Sequence, residues 1–381
     1  ITDGTKITSR YVSILTIRTA DDVTFDNLRT AIQQGIDRNL HTGVQAYISI
    51  DGQPVLDAGF GFARPDVPMS ASTIMLWRSA GKPITAAAVC RAWQAGRIDL
   101  DAAASQYLPD TKDRPVGQVT IRQMLTHTSG VPLLDTGWPT LPWTQIISRI
   151  CDAEALTPGS AYQPQTTWFL LGAILETIDE AGRGFQTILR NEVLTPLEIH
   201  DAWCGIDDVP QIANRLPELL SREAGKLVTS DYGNEPWLTA PSPGGNFRGP
   251  IRELGTFYEM LLNNGETQNG EQLLQPATIS AMTSRQRVGE FDTTFQHIVD
   301  FGLGLIVDSN RYGIKTVPYG FSQYCSPATF GHGGAQCAIG FCDPERKLVV
   351  AWAANGFCGE GQHQRRNQAI NDAMYTDLGF A

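Results

Sequence analysis

The stretch Trp77-Arg78-Ser79-Ala80-Gly81-Lys82-Pro83-Ile84-Thr85 decides how this chain is read. Ser79 and Lys82 stand three residues apart, and on a helix that spacing puts both on one face, within reach of each other. If Ser79 opens the helix, the positive end of the helix dipole stabilises negative charge developing on its oxygen. A lysine buried beside it has its pKa depressed and serves as a general base. Pro83 disfavours helical geometry at Lys82 but is tolerated in a first turn, which places the pair at the helix start. The spacing alone is weak, because S-x-x-K arises by chance in roughly one chain in three of this composition. Its surroundings strengthen it. Ile74, Leu76 and Trp77 precede the serine, and Ala86, Ala87, Ala88, Val89 and Trp93 follow the lysine. An apolar helix is a poor place for a solvated amine.

The rest of the sequence sets the limits. The chain has 381 residues, 40 acidic against 29 basic side chains and a formal charge of -11. Its length suits two domains, or one with an insertion, and a core that needs no disulfide or metal. The acidic balance argues against nucleic-acid or anionic-membrane binding, which needs clustered Lys and Arg. No apolar run reaches the ~18 residues of a membrane span. Ile1 to Asp22 lacks a basic-then-apolar leader. Seven cysteines without a CxxC pair read as buried thiols in a reducing compartment, so a cytoplasmic location is expected over a periplasmic or secreted one. No ligand spacing supports zinc, and no cofactor is expected.

Working outward, Thr24 to Leu40 has the period of an amphipathic helix. Val44 to Ile50 and Val55 to Phe62 read as a hairpin about Asp51-Gly52. Ala328 to His332, Gln336 to Cys342 and Leu348 to Ala353 read as strands, and His363 to Leu378 as a closing helix. Between these ends helical signals dominate, at Ile84 to Ala95, Thr120 to Leu125, Trp168 to Asp179, Phe185 to Leu194 and Ile251 to Leu262. The expected architecture is α/β plus α: an antiparallel sheet flanked by helices from both chain ends, with a mostly helical insertion. Residues 23–80 and 255–381 form the sheet domain, 81–254 the helical one, and the site lies at their interface.

The common hydrolase signatures are absent: no GxSxG elbow, HExxH, GxGxxG or Walker A loop. The segment around Ser79 instead resembles the S-x-x-K-P-[IV]-T motif of serine β-lactamase-like hydrolases, a group spanning class C β-lactamases, DD-peptidases, D-aminopeptidases and family VIII carboxylesterases. Further segments are similar in the family's order. They are Gly96-Arg97-Ile98-Asp99-Leu100-Asp101 with Tyr107-Leu108-Pro109, Ile121 to Gly130 ending in T-H-T-S-G, Pro158-Gly159 with Tyr162 and Leu171-Gly172, and Gly331-His332-Gly333-Gly334. The resemblance spans about 25 to 380.

The resemblance implies roles for particular positions. Ser79 is the acylated nucleophile, Lys82 its base and Tyr162 the phenol that relays a proton to the leaving group. His332 stands in the third motif, on a strand the family uses to line its site, and is expected to be catalytic as well. Backbone N–H groups of Ser79 and Ala335 form the oxyanion hole, with Gly333 and Gly334 leaving room for substrate. His127 and Ser129 belong to a structural turn, and Asp99 and Asp101 to loops and caps.

Two departures bear on substrate. His332 replaces the lysine that attracts a penicillin's carboxylate, and is neutral at pH 7 unless a neighbour raises its pKa. The usual Y-x-N reads Tyr162-Gln163-Pro164, and Pro164 has no donor to offer in place of the asparagine. Both favour an uncharged small ester or amide as partner, in a monomer or homodimer. The expected activity is carboxylesterase, with β-lactamase, amidase, D-aminopeptidase, transesterase and a non-catalytic scaffold as alternatives. Tyr312, Tyr319, Phe321, Tyr324 and Phe330 suit either an acyl pocket or a core. The sequence assigns no role to Arg248 in Gly244-Gly245-Asn246-Phe247-Arg248-Gly249.

Overall fold

The computed structural model describes residues 23–153, 156–157 and 159–381. Ile1 to Asp22, the stretch without a basic-then-apolar leader pattern, and Pro158 of the Pro158-Gly159 pair lie outside the described residues.

The fold begins where the two ends of the chain meet. Strand Gly43–Ile50 runs into strand Gln53–Arg64 through Asp51 and Gly52, both at positive φ (52° and 73°). A two-residue turn of that kind matches the right-handed twist of the strands it joins. The other edge of Gly43–Ile50 pairs antiparallel with Leu348–Ala354, from Val44 opposite Ala354 to Ile50 opposite Leu348. The eight-stranded sheet then runs in space Asp300–Phe301, Ile306–Val307, Phe330–Gly334, Ala338–Asp343, Leu348–Ala354, Gly43–Ile50, Gln53–Arg64, Val67–Pro68. The two-residue strands were not legible, since two residues carry no alternation.

Both faces of this sheet are covered, and period two sorts its side chains between two cores. In Leu348–Ala354 the residues Val349, Ala351 and Ala353 join one core, while Leu348, Val350, Trp352 and Ala354 join the other. Helices Asp26–Asp37 and Glu360–Asp377 cover the second face side by side. Leu28 and Ile32 face inward from one, Ile370 and Met374 from the other. Asp377 ties them together by accepting from the Asn27 and Leu28 backbone at 3.1 and 2.9 Å. The first face carries helix Ile251–Leu262, where the Tyr47 hydroxyl donates to Glu259 at 2.6 Å.

Between Arg78 and Phe247 the chain is mainly helical, with Lys82–Gln94, Ile121–Leu125, Trp143–Cys151, Thr166–Thr177 and Phe185–Leu189, the last continuing as one π-helical turn over Arg190–Leu194. Thr166 to Leu175 are all buried, which is why that helix shows no polar stripe. The core on the first sheet face continues unbroken into these helices, through Trp77, Ile84 and Leu171. We propose that the chain divides as expected, into a sheet unit from 23–80 with 255–381 and a helical unit from 81–254. All seven cysteines are free, and no described helix is long and apolar enough to cross a membrane.

Trp352 is fully buried between sheet and terminal helices, and its indole N–H donates to Asn371 at 2.8 Å. Trp352→Ala is expected to lower unfolding free energy by about 3–5 kcal/mol, leaving a cavity and an unpaired amide. Urea titration of both proteins measures it.

Candidate active site

Strand Met75–Arg78 delivers the chain to a 3-10 turn, Ser79–Gly81, which runs directly into helix Lys82–Gln94. Pro83 sits in the first turn of that helix, where its missing N–H has no partner to lose. Arg78, just before the serine, takes φ 48° and ψ -130°, a strained backbone for a residue with a side chain. Its guanidinium is clamped over the rings of Tyr232 and Phe357, 4.0 and 4.3 Å from their centroids. The sequence offers no sign of this clamp, because its three members lie far apart along the chain.

Lys82 is fully buried, and its amine has three neighbours. It lies 3.1 Å from Ser79 Oγ and 2.7 Å from the Pro164 carbonyl, with the Gly244 carbonyl as its third partner. No carboxylate is among them. Burial pushes the Lys82 pKa well below the ordinary lysine value. A neutral amine has two hydrogens, which the two carbonyls accept, and its lone pair is then left for the serine hydroxyl. Sequence reading missed both carbonyl partners. A backbone oxygen has no residue signature, although Gly244 opens a segment already noted as unusual.

Tyr162 packs against the same amine, its ring centroid 5.1 Å from Lys82 Nζ. Phe295 stacks on one side at 4.5 Å and His127 approaches at 4.7 Å. Burial raises the Tyr162 pKa, and a hydrogen bond with Ser79 opposes the rise. His127, at φ 59°, accepts the Gln163 N–H on Nδ1 at 3.0 Å, and its carbonyl accepts from Ala161 at 3.1 Å. The T-H-T-S-G turn thus supports the tyrosine segment from behind. Asp101 pairs with Arg122 at 2.7 Å, and Asp99 accepts the Asp101 N–H at 2.9 Å.

His332 lies on strand Phe330–Gly334, buried, with Nδ1 2.7 Å from the Gly333 carbonyl. A carbonyl only accepts, so Nδ1 carries the hydrogen and Nε2 the lone pair. Burial, with Lys82 adding to it, pushes the His332 pKa down to about 3. Gly333 and Gly334 are also required by the packing of neighbouring protein. A Cβ on Gly333 would meet the Tyr319 ring at 2.2 Å, and one on Gly334 the Trp77 carbonyl at 2.0 Å. Strand Phe330–Gly334 therefore sits directly against the serine turn. Ser79, Tyr162, His332, Gly333 and Ala335 line a common cavity of about 470 Å³, with Pro164, Phe295, Ile306, Pro318 and Tyr319.

Of the aromatic residues weighed for a pocket, Tyr319 lines the cavity, Phe321 and Phe330 are core residues, and Tyr312 donates to Asp300 at 3.1 Å. Arg248 is buried and donates to the Tyr232 carbonyl at 2.7 Å and the Trp237 carbonyl at 3.3 Å. Burial lowers its pKa to about 9. It pins strand Phe247–Gly249 to the loop beneath Arg78. Among the described residues no cluster of His, Cys, Asp and Glu is arranged to hold a metal ion.

Ser79 and Tyr162 thus share one cavity, and the Lys82 amine lies beside Ser79 Oγ. The family model described as Beta-lactamase matches residues 28–375. The chain belongs to the beta-lactamase family. Among its relatives, Esterase/beta-lactamase LipL of Mycobacterium tuberculosis is 25% identical over 344 residues, covering 81% of this chain and 76% of that protein. The mitochondrial serine beta-lactamase-like protein LACTB of Homo sapiens is 32% identical, over only 23% of this chain and 17% of that protein. Among solved structures, a family VIII carboxylesterase superposes with a TM-score of 0.75 at 21% identity, covering 93% of this chain and 97% of that one. A penicillin-binding protein homologue from Caulobacter crescentus gives 0.73 at 23% identity, with the same coverage. These structures share the β-lactamase/transpeptidase-like fold with this family member.

Four buried histidines lower its stability in acid. Burial, seconded by Arg366 for His41 and by Lys82 for His332, takes both to about 3. His127 and His363 are also held well below 6.5, mainly by burial. Unfolded, each binds a proton near pH 6.5. The unfolded state therefore carries more protons between 6.5 and about 3, and stability falls as pH drops through that window. Denaturant unfolding at pH 7, 6, 5 and 4 is expected to show a steepening loss, beginning below about 6.5.

Proposed function

We propose that this chain is a serine carboxylesterase that forms an acyl-enzyme on Ser79 and prefers small uncharged esters. The observation that carries the reading is the Lys82 amine, buried without a carboxylate and fixed 3.1 Å from Ser79 Oγ. Neutral Lys82 accepts the Ser79 proton as Oγ attacks the ester carbonyl. The oxyanion is held by the N–H groups of Ser79 and Ala335, an interaction whose loss of one donor typically costs about 10²–10³ in rate. Tyr162, protonated because burial raises its pKa, gives its hydrogen to the departing alkoxide and recovers one from Lys82. Water, or an acceptor alcohol, then attacks the acyl-enzyme and restores Ser79.

The preference for uncharged esters rests on what the cavity lacks. His332 is neutral, and the cavity lining holds no Lys or Arg among the described residues. Nothing there attracts the carboxylate of a penicillin. Pro164 offers only its carbonyl, and Lys82 uses it. The seven free thiols also favour a reducing compartment.

Ser79→Ala and Lys82→Ala are each expected to reduce turnover of p-nitrophenyl acetate and butyrate by about 10³-fold or more. Undiminished turnover in either variant overturns the mechanism. Nitrocefin hydrolysis is expected to be far slower than ester hydrolysis, and comparable rates overturn the ester preference. Wild-type kcat/KM is expected to fall as pH drops and Lys82 takes up a proton.

A further inference from the structure

The cavity beside Ser79 has two unlike walls. Phe295, Ile306 and Pro318 make one apolar. The other is one face of helix Glu360–Asp377, contributed by Glu360, His363, Gln364 and Asn367 at helical spacing i, i+3, i+4 and i+7. An acyl chain needs only the first wall.

Two groups on the polar wall are not used up by the fold. His363 is 1% exposed, and its Nδ1 accepts from Arg366 Nη2 at 2.9 Å. A guanidinium only donates, so the lone pair of His363 is on Nδ1 and its hydrogen is on Nε2. That Nε2–H is buried without a partner among the described residues. Glu360, one turn earlier, is exposed at the start of the helix and accepts from the Tyr319 hydroxyl at 2.8 Å. A carboxylate has roughly four lone-pair positions, and this bond takes one. Asn367 is by contrast committed to the Gly320 carbonyl at 2.7 Å, and Gln364 to that of Lys315 at 3.3 Å. The nearest cation behind this wall, Arg366, spends its Nη hydrogens on the carbonyls of Leu40, Gly356 and Gln336 and on Nδ1 of His41 and His363, and its Nε–H is buried without a partner among the described residues.

We propose that Glu360 and His363 form a polar subsite that binds an uncharged hydrogen-bonding substituent of the substrate, a carboxamide, with His363 Nε2–H donating and Glu360 accepting. Side chains one turn apart have Cβ atoms about 5–6 Å from each other, a span that the oxygen and the NH2 of one carboxamide bridge. A carboxylate at the same place meets the Glu360 charge. An alkyl group leaves the His363 donor unmet, and sites built around a buried donor reject ligands that cannot answer it. The proposal rests on the esterase reading and adds which ester the site selects.

Three p-nitrophenyl esters of matched shape test it: glutaramate, 5-methylhexanoate and hemiglutarate. In the wild type kcat/KM is expected to be about tenfold higher for glutaramate than for 5-methylhexanoate, with hemiglutarate lowest. His363→Phe is expected to reduce the glutaramate to 5-methylhexanoate ratio about tenfold. Glu360→Gln, at an exposed position that folding tolerates, is expected to raise the hemiglutarate to glutaramate ratio by about tenfold. Ratios are unmoved by a merely structural loss of active protein. Equal kcat/KM for glutaramate and 5-methylhexanoate, or a hemiglutarate ratio unchanged in Glu360→Gln, overturns the subsite and leaves the esterase standing. No turnover of any of the three overturns the esterase reading and the subsite with it.

Discussion

One dehydrated amine organises this molecule. Lys82 Nζ is held by the Pro164 and Gly244 carbonyls and by Ser79, and each partner comes from a different part of the chain. Burying an ammonium ion costs several kcal/mol, so the fold holds the group where losing its proton is the easier course. That requirement explains the local architecture. Helix Lys82–Gln94 must be apolar around the lysine, helix Thr166–Thr177 must be buried along its first three turns, and Gly244 must approach without a side chain. A Cβ there would lie 2.7 Å from the Pro164 oxygen and 2.8 Å from Trp168.

The sheet supplies the other half of the site by bringing the chain's ends together. Strand Phe330–Gly334 reaches the serine turn because the two glycines let Tyr319 and the Trp77 carbonyl lie flat on it. Removing two Cβ atoms costs conformational entropy in the unfolded chain, which close packing against Ser79 offsets. Tyr319, Tyr162 and Phe295 then form a connected run of rings around the cavity, with centroids 6.0 Å and 4.5 Å apart. Rigid aromatic walls keep the ring of Tyr162 in place.

Charge is nearly absent from the reacting centre although the chain carries a net -11. Lysine, both cavity histidines and tyrosine are all driven toward their neutral forms by burial. Buried cations do exist nearby, but Arg78 stacks on rings while Arg248 and Arg366 bond to backbone carbonyls. They stiffen the scaffold. The Glu360 carboxylate, exposed and lining the cavity, has a sign opposite to what an anionic acyl group requires.

The sequence by itself determined the elements and pointed to Ser79 and Lys82 as the candidate reacting pair. Thr24 to Leu40, the Asp51-Gly52 hairpin and the closing helix were legible because their apolar periods and turn residues are local. Ser79, Lys82, Tyr162 and His332 were legible because their order along the chain matches a family, not because any one spacing is specific. Tertiary structure alone decided the rest. The two carbonyls that hold Lys82, the ring of Phe295 against Tyr162, the clamp on Arg78 and the polar wall of Glu360 and His363 are contacts between distant segments. Backbone oxygens leave no mark on a sequence, and a histidine's tautomer depends on which partner the fold brings to each nitrogen. Gly333 and Gly334 show the same division. The sequence reads them as room for substrate, and the fold adds a second reason for them, since Tyr319 and the Trp77 carbonyl pack against them while Gly333 lines the cavity.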